Sequence, residues 1–476
     1  MRSSSRTASR LRSSSSSSSS PSPVSTPTGP SGMAAAVEAA AGGLRVALLD
    51  QGARVGGAYW RHNPEHLDDL TPVALHHDWS TFRRLLARLQ TVDVRTEHTV
   101  WALERLELGF RVRALRGEVE RAPVVLDATS VVVATGTYDH VLPFPGWTLP
   151  GVMGAGGGQA LLKGTLVAPG SRVALAGSGP LLLVVADGML RSGVEVVAVA
   201  ESGHPTTYGL HPSSWTGLGA RTREASSYAR ALAEHRVPYL AGHSVRSADG
   251  TDRVERVSFA TRRGRIREYD VDALLVSHGF TPQVELLLQL EPVTRVDADG
   301  SVVVMVDAQQ RTSVPGLLAT GEVTGVGGAS LAILEGYVAG RALTDRGVDR
   351  AVLKRIDVHR RFARAMHTVH APREDWVRRL PNDELVCRCE EVTAGAVRAA
   401  CRDLGVDDVR GAKLMTRAGM GLCQGRMCGR AVAELVADTS GRPVDAADSV
   451  RAGLRLPATP VPLSVLARDP LTDDDT

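Results

Sequence analysis

The feature of this sequence that most restricts its fold is a strand–turn–helix–strand pattern over residues 171–201, SRVALAGSGPLLLVVADGMLRSGVEVVAVAE. One apolar run ends in Gly177-Ser-Gly179, an apolar helical pattern follows, and a second apolar run ends at Glu201. Glycines in such a turn let the backbone approach a pyrophosphate, the helix N-terminus stabilises its charge, and the acid binds a ribose hydroxyl. Leu182 occupies the third glycine position, so the match to G-x-G-x-x-G is partial. The pattern predicts a dinucleotide-binding βαβ unit.

A weaker copy of this pattern lies near the start of the sequence, in GPSGMAAAVEAAAGGLRVALLD over residues 29–50. Gly29 and Gly32 open an alanine-rich helical pattern, and the apolar run that follows ends at Asp50. Such a half-pattern is typical of a pyrophosphate-binding turn and equally of tight helix–strand packing that binds nothing.

Two Ala-Thr-Gly segments, at residues 134–136 and 319–321, end further apolar runs. Gly136 and Gly321 leave the backbone there open to close approach by a cofactor. Glu322 follows the second segment and can accept hydrogen bonds from ribityl or ribose hydroxyls. Together with the two βαβ patterns, these segments predict an α/β protein with two Rossmann-like dinucleotide-binding domains.

Four of the five cysteines form two close pairs near the C-terminus, Cys387 with Cys389 and Cys423 with Cys428. Four thiolates can hold an iron–sulfur cluster or a zinc ion. Paired ligands of structural zinc are typically separated by about two to four residues, so the C-x-C spacing favours a cluster and leaves zinc open. Cys401 lies within a helical pattern and is predicted to be a buried apolar residue.

Residues 29–345 resemble the two-dinucleotide-domain flavoprotein oxidoreductases, whose fold is that of the flavoprotein disulfide reductases. The segments LPFPGWTLPGVMGAGGGQALLKG (142–164) and AGSGPLLLVVA are similar to alpha-type subunits of heteromeric amine and amino-acid dehydrogenases. That group includes opine oxidase, hydrogen cyanide synthase, hydroxyproline dehydrogenase and heteromeric sarcosine oxidase. The resemblance implies FAD at Gly29, Gly32, Asp50, Gly136, Gly321 and Glu322. It also implies NAD(P) or another nucleotide at Gly177, Gly179 and Glu201.

The cysteine-containing stretch, VCRCEEVTAGAVRAAC followed by KLMTRAGMGLCQGRMCG, resembles the bacterioferritin-associated ferredoxin-like (BFD-like) domain. That domain is a small helical [2Fe-2S] module. Carried over by position, the resemblance implies that the cluster ligands are Cys387, Cys389, Cys423 and Cys428.

The segments expected from composition and resemblance are a disordered Ser/Arg-rich head (1–28), an FAD-binding domain in two parts (29–164 and 286–345), a second nucleotide domain (165–285), a helical linker (346–380), the [2Fe-2S] domain (381–440) and a C-terminal tail (441–476).

The residues before Gly29 depart from the fingerprint, which normally begins with an apolar strand and a first glycine. Pro27 and Thr28 hold the positions of that glycine and its neighbour, and serine and proline precede them. Proline cannot donate to a sheet ladder. The sequence therefore predicts that the FAD domain lacks its central strand and that the chain binds FAD poorly.

The predicted function follows from the two redox groups, because FAD accepts a hydride while a [2Fe-2S] cluster passes single electrons. The resemblance implies the electron-transferring subunit of a heteromeric dehydrogenase that oxidises an opine, hydroxyproline, glycine or related compound. The implied partners are an electron acceptor and a second flavoprotein subunit, which is amino-acid-oxidase-like. No substrate-oxidising catalytic residue is therefore predicted in this chain.

Two alternatives stay open. One is an NAD(P)H-dependent flavoprotein reductase that feeds a partner oxygenase or ferredoxin, with Glu201 favouring NAD by repelling a 2′-phosphate. The other is a cluster-bearing binding module without turnover. Redox exchange with a thiol pair beside the flavin is not expected, because no cysteine precedes Cys387.

Charge, hydropathy and cysteine usage argue against a nucleic-acid-binding protein, a membrane-spanning protein and a disulfide-rich secreted protein. The formal charge of +3 includes four arginines that precede the first acidic residue, Glu38, so the remainder is close to neutral and gives no case for nucleic-acid binding. No apolar run is long enough for a membrane span. Clustered cysteines do not form a secreted disulfide framework, so a reducing cytoplasm is expected.

Overall fold

The computed structural model describes residues 24–26, 28–63, 75–119, 121–204, 207, 218–371, 375–444, 448, 450, 454 and 456–467. The strands in this part of the chain are β1 (Val24–Thr26), β2 (Ala47–Leu49), β3 (Asp93–Arg95), β4 (His98–Leu106), β5 (Gly109–Arg116), β6 (Ala122–Ala128), β7 (Val131–Val133), β8 (Thr137–Asp139), β9 (Val152–Gly154), β10 (Arg172–Gly177), β11 (Glu195–Glu201), β12 (Tyr239–Ala241), β13 (His243–Asp249), β14 (Arg256–Thr261), β15 (Ile266–Asp270), β16 (Ala273–Ser277), β17 (Phe280–Pro282), β18 (Thr294–Val296), β19 (Val302–Val304), β20 (Leu317–Ala319), β21 (Leu385–Cys387) and β22 (Val392–Thr393).

The α-helices are α1 (Pro30–Ala41), α2 (Trp79–Arg88), α3 (Ala155–Thr165), α4 (Leu181–Arg191), α5 (Leu218–Glu234), α6 (Glu285–Leu288), α7 (Ala329–Ala342), α8 (Arg350–Val369), α9 (Trp376–Arg379), α10 (Ala394–Leu404), α11 (Val409–Thr416), α12 (Gly429–Thr439) and α13 (Leu463–Leu466). Within the described residues, none of these helices is both long and apolar enough to cross a bilayer.

The first domain is built on a five-stranded sheet with the order β20-β7-β1-β2-β3. Its pairings are all parallel, so the carboxyl ends of its strands lie along one edge. Strands β2, β7 and β20 are apolar and fully buried, as expected for a parallel sheet covered on both faces. The structure therefore confirms the predicted Rossmann-like architecture of this domain.

The central strand of this sheet is β1, which contradicts the prediction that the FAD domain lacks it. Val24 pairs with Ala47 on one side and with Val131 on the other. A parallel ladder is formed by backbone amides and carbonyls. None of the three residues of β1 is a proline, so each has an amide that can donate. The absence of an apolar run was thus the wrong criterion. The prediction that residues 1–28 form a disordered head is wrong for residues 24–26, which form β1, and for Thr28, which is hydrogen-bonded to Asp50. The rest of that prediction, and any effect of Pro27, lie outside the described residues.

A test of this strand is Ser25→Pro, because Ser25 lies in register with Leu48 and Val132 on its two neighbours. Proline removes the donor from a central strand and leaves a buried acceptor unpaired, so we expect a loss of about 1–3 kcal/mol of stability together with loss of bound FAD. Ser25→Ala keeps the amide and serves as the control. Thermal unfolding and FAD content after gel filtration measure both effects, and an unchanged Ser25→Pro protein would refute the role of β1.

The second domain contains another five-stranded parallel sheet, with the order β12-β11-β10-β16-β9. Helix α4 connects β10 to β11 and buries Leu182 and Met189 against the sheet. An antiparallel sheet, β13-β14-β15, covers the other face of this domain, where Phe259 is fully buried. Strand β8, which leaves the first domain, pairs with β17, which returns to it.

The C-terminal region is a small helical unit around the β21–β22 hairpin. Two of its helices, α10 and α11, are N-capped by side chains. Thr393 accepts from the Ala396 amide at 3.2 Å, and Asp408 accepts from the Gly411 amide at 2.6 Å. Its apolar core includes Val386, Val397 and Leu435, and also Leu142, which precedes the second domain. The unit is therefore packed directly against the two-domain body.

Candidate functional site

The carboxyl ends of β1 and β2 bring together the predicted residues of the first βαβ unit. Asp50 is only 5% exposed and accepts hydrogen bonds from the Thr28 amide at 3.0 Å and the Gly52 amide at 2.6 Å. The Thr28 hydroxyl also donates to this carboxylate. Burial raises the pKa of Asp50, and these hydrogen bonds oppose the rise. Gly29 is the N-cap of α1, and a side chain there would meet nothing within 4 Å, so the space before the helix is open to a ligand.

The two Ala-Thr-Gly segments end β7 and β20 at the same sheet edge. Strand register places Val133 beside Ala319, and the Thr320 amide donates to the Val133 carbonyl at 3.1 Å. Glu322 accepts from the Gly328 amide at the start of α7 at 3.0 Å, and burial raises its pKa to about 7. Gly136 follows β7 on this edge, where its carbonyl accepts from the Gln283 amide at 2.9 Å.

Close packing of two helices sets the position of this edge relative to the start of α1. On α7, a Cβ atom added at Gly336 would overlap the Ser31 carbonyl, and one at Gly340 would overlap the Ala35 carbonyl. The two helices therefore touch along their backbones. The predicted residue Gly32 is buried in the first turn of α1, next to this contact.

The second βαβ unit has the arrangement that its sequence predicts. Gly177 has a φ of 137°, and a Cβ atom there would overlap the Ser277 carbonyl, so only glycine fits. A side chain at Gly179 would meet nothing within 4 Å. Glu201 is 2% exposed and accepts from the amides of Gly179 and Gly203, each at 3.0 Å. Its position at the glycine turn fits a ribose-binding acid.

The four paired cysteines lie next to one another in the C-terminal unit. The Cys428 thiol lies next to the thiols of Cys387 and Cys423, and the Cys423 thiol also lies next to that of Cys389. Through these contacts the pKa of Cys387 falls to about 6 and that of Cys423 to about 5, while that of Cys428 rises. The four thiols thus form one continuous group, whereas Cys401 lies on α10 beside Ser440.

The backbone around the thiols directs an amide at one sulfur and has a glycine where another cysteine side chain packs. The Gly419 amide donates to the Cys387 sulfur at 3.5 Å, and a side chain at Gly421 would overlap the Cys389 side chain. Amides directed at sulfur are typical of iron–sulfur sites, where they tune the potential. Among the described residues no three His, Cys, Asp or Glu side chains have the arrangement of a single-ion site. The fit to a [2Fe-2S] cluster therefore rests on the thiol group and its amides.

Sequence reasoning missed the residues that join the cysteine unit to the flavoprotein body. Arg426, between two of the cysteines, donates to the Tyr138 hydroxyl at 2.6 Å and forms an ion pair with Glu285 at 3.3 Å. Trp147 donates from its indole to the Leu385 carbonyl at 2.7 Å. Each of these contacts joins residues that are far apart in the chain, so no local pattern could have predicted them.

The fold and the site define a flavoprotein with two dinucleotide-binding domains and a cysteine-rich electron-transfer unit. Residues 28–340 match the family model "Pyridine nucleotide-disulphide oxidoreductase", and residues 385–438 match "BFD-like [2Fe-2S] binding domain". The chain belongs to the pyridine nucleotide-disulphide oxidoreductase family. It is an FAD-dependent oxidoreductase, and its cofactors are FAD and a [2Fe-2S] cluster. The family match also indicates NAD(P) binding.

The chain is similar over nearly its whole length to components of two heteromeric enzymes. It is 33% identical to a subunit of the opine oxidase of Rhizobium meliloti, over 93% of this chain and 86% of that protein. It is 30% identical to the HcnB subunit of the hydrogen cyanide synthase of Pseudomonas protegens, over 92% and 95%. The resemblance inferred from the sequence is confirmed. Among solved structures, an L-proline dehydrogenase from P. horikoshii superimposes with a TM-score of 0.68 at 20% identity, covering 94% of this chain and 79% of that one, which shows the shared fold.

Proposed function

We propose that this chain is the electron-transferring subunit of a heteromeric dehydrogenase acting on an amine or amino-acid derivative. The observation that carries the proposal is the docking of the cysteine unit at the sheet edge, through Arg426 and Tyr138, where the FAD-binding segments end. When bound, FAD supplies two-electron chemistry and the cluster supplies one-electron transfer. This chain's own residues would hold FAD at the sheet edge and the cluster at the four cysteines.

In this proposal each site keeps the residues that its sequence pattern indicates. The FAD site is lined by Gly29, Gly32, Asp50, Gly136, Gly321 and Glu322. The cluster ligands are Cys387, Cys389, Cys423 and Cys428. The second nucleotide site contains Gly177, Gly179 and Glu201. The open space at Gly29 and Gly179, and the contiguous thiols, support these assignments.

The proposed partner is a second flavoprotein subunit of the amino-acid-oxidase type that binds and oxidises the substrate. Two curated relatives are subunits of an opine oxidase and of a hydrogen cyanide synthase, which supports a partner and a substrate of the opine or amino-acid class. The five cysteines are free, which is consistent with a reducing cytoplasm as the compartment.

A second candidate function is an NAD(P)H-dependent reductase, and the second βαβ unit favours it. Its glycine turn and Glu201 have the geometry of a nucleotide site. Glu201 would repel a 2′-phosphate, so this candidate predicts NADH rather than NADPH as donor. Gly179→Val would then fill the open space at the turn and abolish NADH oxidation.

The experiment that separates the two candidates uses the reconstituted holo-chain alone and together with an amino-acid-oxidase-like flavoprotein subunit. With a one-electron dye as acceptor, we expect oxidation of an opine, hydroxyproline or glycine only when both polypeptides are present. NADH oxidation by the chain alone should be negligible and unaffected by Gly179→Val. Full amine turnover by the chain alone, or rapid NADH oxidation that Gly179→Val abolishes, would contradict the proposed function.

A further inference from the structure

Arg426 is a residue of the cysteine unit that contacts the body of the molecule close to the predicted FAD-binding edge. It lies between Cys423 and Cys428, and its Nη1 donates to the Cys423 carbonyl at 3.2 Å. Its Nε donates to the Tyr138 hydroxyl at 2.6 Å, and its guanidinium carbon is 5.7 Å from the centre of the Tyr138 ring. Tyr138 follows Gly136 by two residues, so one side chain joins the cysteine loop to the turn after β7.

The environment of Arg426 is buried and its charge is balanced there. The side chains of Arg426 and Glu285 are each 12% exposed and lie 3.3 Å apart. The Tyr138 hydroxyl accepts from Arg426, and burial, with the nearby Glu285 carboxylate, raises the pKa of this hydroxyl. Arg426 also donates to the Ala458 carbonyl in the C-terminal segment. A buried guanidinium with this many partners fixes one geometry, because each lost partner would remain desolvated.

A small cavity extends from this contact toward the predicted FAD-binding edge. Its volume is about 50 Å³. It is bounded by Leu49 and Thr135 on the sheet edge and by Tyr138, Glu285 and Arg426 on the side of the cysteine loop. The residues that precede Asp50 and Gly136 therefore face the same space as Arg426.

The other contacts between the unit and the body lie elsewhere on the interface. Trp147 bonds to the Leu385 carbonyl and lies under the Arg388 guanidinium at 5.3 Å. Arg430 bonds to Ser301 at 3.3 Å and to the Asp299 carbonyl. Arg388 lies between Cys387 and Cys389, and Arg430 lies in the first turn of α12, whereas Arg426 lies within the loop between Cys423 and Cys428.

We propose that Arg426 is a positioning residue that fixes the loop carrying Cys423 and Cys428 against the FAD-binding edge through Tyr138 and Glu285. This inference rests on the proposed function, since a fixed separation matters only if electrons pass between the two groups. Arg426 binds neither group itself. It acts by keeping the loop in one position.

The test compares Arg426→Gln with Arg417→Gln in the FAD- and iron-loaded full chain. Arg417 is the matched control because it is also next to the cysteines, yet it is exposed and forms an ion pair with Glu390 at 2.8 Å. Hydrogen–deuterium exchange of peptides covering residues 134–142 and 419–428 reads out the docking. In Arg426→Gln we expect these peptides to exchange at least about tenfold faster than in the wild type. Removing one partner of a buried charge pair should raise the population of the undocked loop by at least that factor. Arg417→Gln should exchange as the wild type does.

A second measurement follows electron re-equilibration after flash photoreduction of the flavin. We expect it to slow in Arg426→Gln and to be unchanged in Arg417→Gln. Glu285→Gln leaves the cysteine loop unaltered and removes the same ion pair, so it should give the same two changes, in smaller degree, even if Arg426→Gln does not fold.

Wild-type exchange and wild-type electron re-equilibration in both Arg426→Gln and Glu285→Gln would overturn the proposal. An equal effect of Arg417→Gln would overturn it as well, since nearby charge and not docking would then be responsible. Neither measurement uses a substrate or a second polypeptide, so a failure of the proposed function leaves this result readable.

Discussion

Replacing Cys428 by serine is expected to abolish the [2Fe-2S] cluster. Cys428 is 2% exposed and its thiol lies next to those of both Cys387 and Cys423, so it is the central member of the thiol group. A serine hydroxyl is a far poorer iron ligand than a thiolate, and the remaining three thiols cannot complete four-cysteine ligation. We expect iron and sulfide to fall from about two of each per chain to near zero. Because metal binding is coupled to folding, residues 385–438 should also become protease-sensitive.

The matched control is Cys401→Ser, which changes the one cysteine outside the group. Cys401 is partly buried on α10 next to Ser440, so its loss should cost only packing and leave the iron content unchanged. Iron and sulfide assays and the electron paramagnetic resonance of the reduced protein, prepared anaerobically, measure the result. A Cys428→Ser protein with a full cluster, or a wild type holding stoichiometric zinc and no iron, would refute the assignment.

Gly336→Ala is expected to destabilise the FAD domain and to release FAD. An added Cβ atom would overlap the Ser31 carbonyl, which lies in the first turn of α1. The overlap is with backbone, so the two helices must separate, and we expect a cost at or above the upper end of the roughly 1–3 kcal/mol typical of overpacking. Displacement of the α1 N-terminus would also weaken the open site at Gly29 for a pyrophosphate.

The control for this substitution is Gly188→Ala, a glycine-to-alanine change within α4. There an added Cβ atom meets nothing within 4 Å, so helix propensity alone should stabilise the chain by up to about 1 kcal/mol. FAD retained after gel filtration and the thermal unfolding midpoint report the two variants. Equal behaviour of Gly336→Ala and Gly188→Ala would show that the contact between α1 and α7 does not constrain the site.

The features that could be predicted from the sequence are those whose signal is local. Gly177, Gly179 and Glu201 are joined by a single βαβ unit, and the structure brings them together as the pattern predicts. The cysteine pairs could also be recognised, because the spacing within each pair is local in the sequence. The fold class followed because two such units and two Ala-Thr-Gly segments agree with only a few architectures.

The features that could not be predicted depend on contacts between distant residues. Strand β1 was missed because its residues are not an apolar run, while its place in the sheet is set by the strands at residues 47–49 and 131–133. Arg426 was missed because Tyr138 and Glu285 come from two other parts of the chain. Nothing near Arg426 in the sequence distinguishes it from the exposed Arg417.

The order of strands in the first sheet has a consequence for biosynthesis. Strand β7, at residues 131–133, has β20, at residues 317–319, as its outer neighbour, and the whole second domain is inserted between them. On the ribosome, the second sheet is complete once residue 277 has emerged, whereas the first sheet still lacks its edge. The inserted domain can thus fold first, and the apolar edge of β7 stays unpaired until β20 has been synthesised. A stalled or truncated chain ending before residue 317 would expose that edge, and we expect aggregation of such fragments to begin there.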